Sequence, residues 1–302
     1  MKHNRSAEIA APLEGYDYNW KNTPVRWTGA ALGAEVSLVL DAPRLVAEAA
    51  LQHAVATLQQ LEQMFNLYSD DSLLGQLNTT GHLANPPAPF LDLCDHVTRV
   101  HVATGGLFDP TIQPLWRSLS DGDNPSPARA SIGWKHVEVS TREIRLRPGQ
   151  KISFNGIGQG FATDLVTEAL RTLGIRQALI QIGELAVIGG PFDLRLAPPG
   201  GYRTRKITLK DSAICVSRPR AHLVGNTSHI LHPKGLPFGE NWAMVLCRST
   251  SASLADACAT AFTMMTRAQI EKARDHIPEL DHITLIAEGG ETVELGRPTA
   301  VD

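Results

Sequence analysis

Asp256 is the single charge in Ser251–Thr266, SASLADACATAFTMMT, a run of small, hydroxyl-bearing and apolar residues. Thr260 follows four residues later. On a helix that spacing puts both side chains on one face, one turn apart. A carboxylate and a hydroxyl so placed offer oxygen donors to a hard cation such as magnesium. The pattern also has a purely structural reading. An Asp in a first turn is favoured by the helix dipole, and a Thr hydroxyl bonds back to a carbonyl. Spacing alone leaves both open.

Three further segments carry chemistry. Ile152–Asp164, ISFNGIGQGFATD, sets glycines 156, 158 and 160 between an expected strand (Ile152–Gly160) and an expected helix (Phe161–Leu173). Glycines there let backbone approach an anion at a helix start. The G-x-G-x-G spacing is not the dinucleotide fingerprint, and a tight turn would also explain it. In Gly105–Leu115, GGLFDPTIQPL, Asp109 before Pro110 makes either a rigid extended stop or a capping turn. In Ser228–Pro233, SHILHP, His229 stands before a Pro-bearing turn. A histidine there could act as a base near neutral pH, or be one more satisfied residue among 11 histidines.

These segments must be held by the elements around them. Ala30–Leu40 reads as a strand after an extended arm. Arg44–Phe65 repeats apolar residues at helical spacing. Ser69–Ser72 supplies N-caps for a short helix to Leu77, and Phe90–Thr104 is a second helix closed by Gly105-Gly106. Residues 118–131, polar and bearing Gly and Pro, read as a surface loop. Val137–Leu146 reads as a hairpin. Strands are expected at Ala178–Ile182 and near 192–197, 205–209, 213–217 and 242–247. Helices are expected at Ser253–Met265 and Gln269–His276, then a last hairpin. Helices and strands mix without a regular βαβ alternation, which predicts an α+β fold with mixed, mostly antiparallel sheets flanked by helices.

Composition narrows the function classes. The chain has 302 residues, 43% hydrophobic and 20% charged, with a net charge of −3. That balance offers nothing to steer a polyanion, so nucleic acid is not an expected partner. The four cysteines show no metal spacing, and Cys94, Cys215 and Cys247 fall in apolar runs, as buried small hydrophobes do. No stretch of about 18 apolar residues predicts a membrane span, and the N-terminus lacks the apolar core of a secretory signal. A cytoplasmic location is expected as the sequence is written, unless the true start lies upstream.

The order of the segments carries a resemblance. Leu32-Gly33-Ala34 is followed by NLYSDDSLLGQLN (66–78), GLFDPT (106–111), NGIGQGFATD (155–164), IGE (182–184), VS (216–217), HILHP (229–233) and ADACATA (255–261). In this order and spacing they resemble the ApbE family, the FAD:protein FMN transferases, over about residues 28–297. The resemblance implies an ApbE-like, T-fold-related domain at 28–297, between an N-terminal arm (1–27) and a tail (298–302). It also implies magnesium held by Asp256, Thr260 and the Gly156 carbonyl. FAD contacts would come from Leu32, Tyr68, Leu107, Phe108, Asp109, Gln159, Gly183 and Ser217, and His229 would be the base. The implied reaction moves FMN from FAD to a Thr or Ser hydroxyl of a target flavoprotein and releases AMP. Family members are often exported.

The chain departs from the family pattern on the ligand side. Gln159 replaces a Lys, Glu184 the second glycine of G-G-[DE], Val216 and Arg218 the outer residues of T-S-G, and His232 an Asp. Two alternatives therefore stay open: a non-catalytic FAD-binding accessory protein of the same fold, or a magnesium-dependent FAD pyrophosphatase.

Overall fold

The computed structural model describes residues 20–196, 205–225, 227–236, 238 and 242–296. Most of the expected arm (1–19), the expected tail (298–302) and Ala197, at the end of the expected strand 192–197, lie outside the described residues.

The expected strand 30–40 is part of a hairpin. β1 (Val25–Ala31) pairs antiparallel with β2 (Ala34–Leu40) across Leu32-Gly33. Both turn residues have positive φ, 51° and 74°, as a two-residue hairpin turn of the right twist requires. Glycine adopts this freely; leucine does so at a steric cost. α1 (Arg44–Phe65) buries Ala47, Ala50, Leu51, Ala54, Leu58, Leu61 and Phe65 along one stripe. α2 (Leu73–Thr80) begins after Ser72, whose hydroxyl accepts the Gly75 N–H at 2.9 Å. β3 (His82–Ala84) and α3 (Ala88–Ala103) follow.

The expected loop 118–131 is mostly helical: α4 (Gln113–Asp121) runs into it and α5 (Pro125–Ala130) lies inside it. Its turn-forming residues are caps. Gly122 ends α4 in the left-handed conformation, and the Asn124 side chain accepts from Ser126 N to start α5. β4 (Glu138–Val139) and β5 (Glu143–Arg145) form the expected hairpin and join β3 in a small sheet.

The expected strand Ile152–Gly160 is not one. Ile152 and Phe154 alternate into the core, but the backbone pairs with a side chain instead of a strand. Asn78 donates to Ile152 O at 2.8 Å and accepts from Ile152 N at 2.6 Å, and Ser153 N donates to Pro110 O. α6 (Gly158–Thr172) then starts three residues earlier than expected.

The remaining elements are β6 (Ala178–Ile182), β7 (Glu184–Ile188), the ribbon β8 (Phe192–Leu196) and β9 (Arg205–Leu209), β10 (Ala213–Ser217), the short pair β11 (Leu223–Val224) and β12 (Thr227–Ser228), β13 (Trp242–Ser249), α7 (Ala252–Phe262), α8 (Arg267–Arg274), β14 (Leu280–Ala287) and β15 (Thr292–Gly296). Eight strands run in the order β1-β2-β6-β7-β10-β13-β14-β15, and every pairing is antiparallel. The architecture is α+β. The helices α1, α3, α6 and α7 cover one face. The β8–β9 ribbon covers Val39, Leu179, Leu185, Val187 and Ile214 on the other. Strand alternation therefore puts Glu184, Ala186 and Ile188 of β7 on the helix side. No helix among the described residues is long and apolar enough to cross a membrane.

Candidate functional site

Two hairpin turns and a strand end meet at one rim of the main sheet. β2 pairs with β6 so that Val36 faces Ile182, which brings the Leu32 turn beside the Gly183 turn. β10 pairs with β7 so that Ile214 faces Leu185, and β10 therefore ends at Ser217 on the same rim. Helices α6 and α7 cross over this rim.

Their crossing is close because α6 has glycine at the contact. A Cβ on Gly160 would lie 2.4 Å from Ala252 O and 2.9 Å from Asp256 Cβ. Asp164, the last residue of the NGIGQGFATD segment, fixes the start of α7. Its carboxylate accepts from Ser251 Oγ (2.8 Å), Ala252 N (2.7 Å) and Ser253 N (3.0 Å). Asp256 is thereby buried against the first turn of α6, and the Gly160 N–H donates to its Oδ2 at 3.2 Å. Burial pushes the Asp256 carboxyl up to about 7, outweighing the Gly160 N–H that favours its charge.

Thr260 stands one turn further along α7, its hydroxyl 3.4 Å from that of Ser217. A Cβ on Gly156 would meet Thr260 Oγ1 at 3.2 Å and the Phe108 ring at 3.5 Å, so the Gly156 backbone lies close against Thr260. Asp256, Thr260, Ser217 and the Gly156 backbone thus make an all-oxygen donor set of the kind hard cations take. No group of three or more His, Cys, Asp or Glu among the described residues is placed to hold a metal, so a cation here would rest on these mixed donors. Magnesium fits their chemistry. A second carboxylate, that of Glu184, is buried on the helix side of β7, where it accepts from Val216 N at 3.3 Å. Burial first, and the Asp256 charge second, push its carboxyl well above the usual range.

Gln159 bridges the two turns. Its side-chain amide donates to Leu32 O at 3.3 Å, and its Oε1 lies where a Gly183 side chain would be, 2.2 Å from the ideal Cβ. The strained Leu32 is held from behind as well. Leu32 N donates to Glu62 Oε2 (2.6 Å), Asn66 Nδ2 donates to Glu62 Oε1 (2.7 Å), and Tyr68 N donates to Asn66 Oδ1 (2.8 Å). This relay presents the Tyr68 ring 82% exposed, a flat apolar surface available for stacking.

The GLFDPT segment is used differently from one residue to the next. Leu107 and Phe108 are buried, and His101 Nδ1 donates to Phe108 O at 2.8 Å. Asp109 accepts from Thr111 N (2.9 Å), from the Thr111 hydroxyl and from Trp134 N (3.0 Å). Its carboxylate is committed to its own capping turn and to the Trp134 backbone, 25 residues away.

His229 follows β12 on a separate loop. Its Nδ1 donates to His222 O at 3.1 Å, which leaves the Nε2 lone pair as the basic one, and the Pro219 carbonyl also lies near the ring. Burial, the larger influence, holds its pKa below the usual histidine value. The loop is tied to the rim by Ser228 Oγ, which donates to Pro219 O at 2.6 Å, two residues on from Ser217. No side-chain hydrogen bond joins His229 to Asp256 or Thr260 among the described residues.

Leu32, Gln159, Gly183, Ser217, Gly156, Asp256 and Thr260 therefore form one linked cluster, with Phe108 beside it and Tyr68 at the end of a relay. Sequence reasoning missed two supports. Asp164 sat inside a quoted motif, and its anchoring role shows only when α7 is packed on α6. Glu62 gave no signal, because a charge on a periodic helix reads as solvated.

A sequence model of the ApbE family matches residues 32–284. A curated relative, the FAD:protein FMN transferase of Salmonella typhimurium, is 26% identical over 168 residues, which cover 49% of this chain and 47% of that protein. The match thus spans about half the length of the curated relative. Among solved structures, the flavin transferase ApbE of Vibrio cholerae superposes with a TM-score of 0.77 at 19% identity, over 91% of this chain and 97% of that one. The apo form of the Pseudomonas stutzeri flavinyl transferase ApbE gives 0.76 at 22% identity, over 92% and 96%. The ApbE protein of Thermotoga maritima gives 0.77 at 20%, over 90% and 96%. These likenesses agree with the antiparallel sheet and its helical cover, and the chain belongs to the ApbE family.

Proposed function

We propose that the protein transfers FMN from FAD to a Thr or Ser hydroxyl of a target flavoprotein, with AMP as the leaving group and magnesium as the cation. Family membership and the activity for which the curated relative is named support this reading. The single observation that carries it is the linked cluster of oxygen donors on α7, β10 and the Gly156 turn, set beside a Gln159 bridge between two hairpin turns. Asp256, Thr260 and the Gly156 carbonyl would hold the ion, which would neutralise the pyrophosphate and the charge developing on the AMP oxygen. The Leu32 turn, Tyr68, Phe108, Gln159, Gly183 and Ser217 would position FAD, with Leu107 and Asp109 shaping the Phe108 loop. His229 Nε2 would take the proton of the acceptor hydroxyl as its oxygen bonds to the FMN phosphorus. The bond from that phosphorus to the AMP phosphate oxygen breaks in the same displacement.

The test is incubation of the purified protein with FAD, magnesium and a Thr-bearing acceptor domain. Flavin fluorescence on the denatured acceptor, with AMP in stoichiometric amount, is the expected result. Free FMN plus AMP would establish a pyrophosphatase instead, and FAD bound but unchanged would establish an accessory protein.

A further inference from the structure

Glu184 is the first residue of β7, directly after the Gly183 turn, and strand alternation aims it under the helices. It is only 8% exposed. One carboxylate oxygen accepts a long bond from Val216 N at 3.3 Å. The Cys215 thiol lies against the same carboxylate but donates to Ala252 O at 3.3 Å. Ala252 O in turn stands 2.4 Å from where a Gly160 Cβ would lie, and Asp256 Cβ 2.9 Å from it, so Glu184 borders the crossing that holds the Asp256 carboxylate, itself bonded by one backbone N–H. No Lys, Arg or His is among the groups that act on Glu184.

Buried charges in proteins are paired or bind a metal. Two buried carboxylates at one crossing, each accepting one long backbone N–H, have no cationic partner among the described residues. Beside them stand the Thr260 and Ser217 hydroxyls and the bare Gly156 backbone, so the lacking charge has a place lined with oxygen.

We propose that Glu184 supplies a second carboxylate to the divalent-cation site of Asp256 and Thr260, raising its negative charge and its affinity. This rests on the reading of Asp256 and Thr260 as cation ligands. The glycine that the family pattern places at this position could not act so. More carboxylate charge tightens divalent sites built from oxygen ligands. A smaller donor set would bind the same ions more weakly.

The experiment is titration of the full chain, without flavin, with Mn2+ followed by electron paramagnetic resonance, and with Mg2+ by calorimetry. Wild type, Glu184→Gln and Asp256→Asn are compared. Wild type is expected to take up one Mn2+, Asp256→Asn to lose it, and Glu184→Gln to bind about 10–100-fold more weakly, the scale on which groups supporting metal ligands act. Thermal melts add a readout that a merely structural Glu184 would not give. Removing one of two buried charges at one crossing should raise the metal-free Tm of Glu184→Gln while shrinking the rise produced by Mn2+. If Glu184→Gln binds Mn2+ as wild type does and Asp256→Asn does not, the cation site stands and Glu184 is no part of it; a proton shared between the two carboxyls then explains the pair. If wild type binds neither ion, the proposal and the reading beneath it both fall.

Discussion

At the scale of the residue, His229 owes its fitness as a base to two local facts. The carbonyl of His222 accepts a hydrogen bond from Nδ1–H, which leaves Nε2 as the accepting atom, and burial favours the neutral ring. The sign of the pH effect follows. The deprotonated ring is the active form, and a pKa lowered from the ordinary value of about 6.5 extends that form to lower pH. The pH profile of kcat/KM for transfer should be flat through neutrality and fall only below that ordinary value. His229→Gln should retain FAD binding, read by fluorescence quenching, while transfer drops by roughly 10²–10⁴-fold. Transfer at the wild-type rate would assign the base elsewhere.

At the scale of the element, the site depends on how tightly α7 lies on α6. Gly160→Ala would gain helix propensity of up to about 1 kcal/mol. It would also push a methyl group into Ala252 O and Asp256 Cβ, and overpacking of that kind costs about 1–3 kcal/mol. The net expectation is a loss of about 1 kcal/mol or more in urea unfolding, with weakened Mn2+ binding because Asp256 moves. Asp164→Ala removes three hydrogen bonds at the start of α7. Loss of such a cap should lower stability by about 1–2 kcal/mol, measured the same way. A stability unchanged by Asp164→Ala would mean that Ser251 caps the helix alone.

At the scale of the molecule, the antiparallel sheet gathers distant segments. The turns at Leu32 and Gly183 and the end of β10 reach one rim because β1, β2, β6, β7 and β10 are neighbours in the sheet. A ligand spanning that rim ties together pieces of chain far apart in sequence and should stabilise the whole fold. At 100 times its Kd a ligand adds about 2.7 kcal/mol. With magnesium present, FAD is expected to raise the Tm at concentrations where riboflavin, which lacks the phosphates, does not. Equal shifts from both would show that the phosphates are not read.

Some of this was legible in the residues themselves. The Arg44–Phe65 stripe, the one-face pairing of Asp256 with Thr260 and the lack of βαβ alternation are local patterns, and each is found in the structure. Local periodicity reports that a residue is buried, not what it is buried against. Ile152–Phe154 alternates like a strand, yet its backbone partner is the side chain of Asn78, 74 residues away. Asp109 reads in sequence as a stop or a capping turn, but that Trp134 N, from another part of the chain, shares its carboxylate is visible only in the fold. In sequence Glu184 reads only as a charge in place of a glycine on the ligand side. Only the pairing of β7 with β10 and the packing of α7 on α6 bring it to the crossing that holds Asp256. Sequence spacing settles which side chains share a face, because a helix turn and a strand pleat are short-range geometry. Which faces meet is decided by tertiary packing, because that depends on the burial of the whole chain at once.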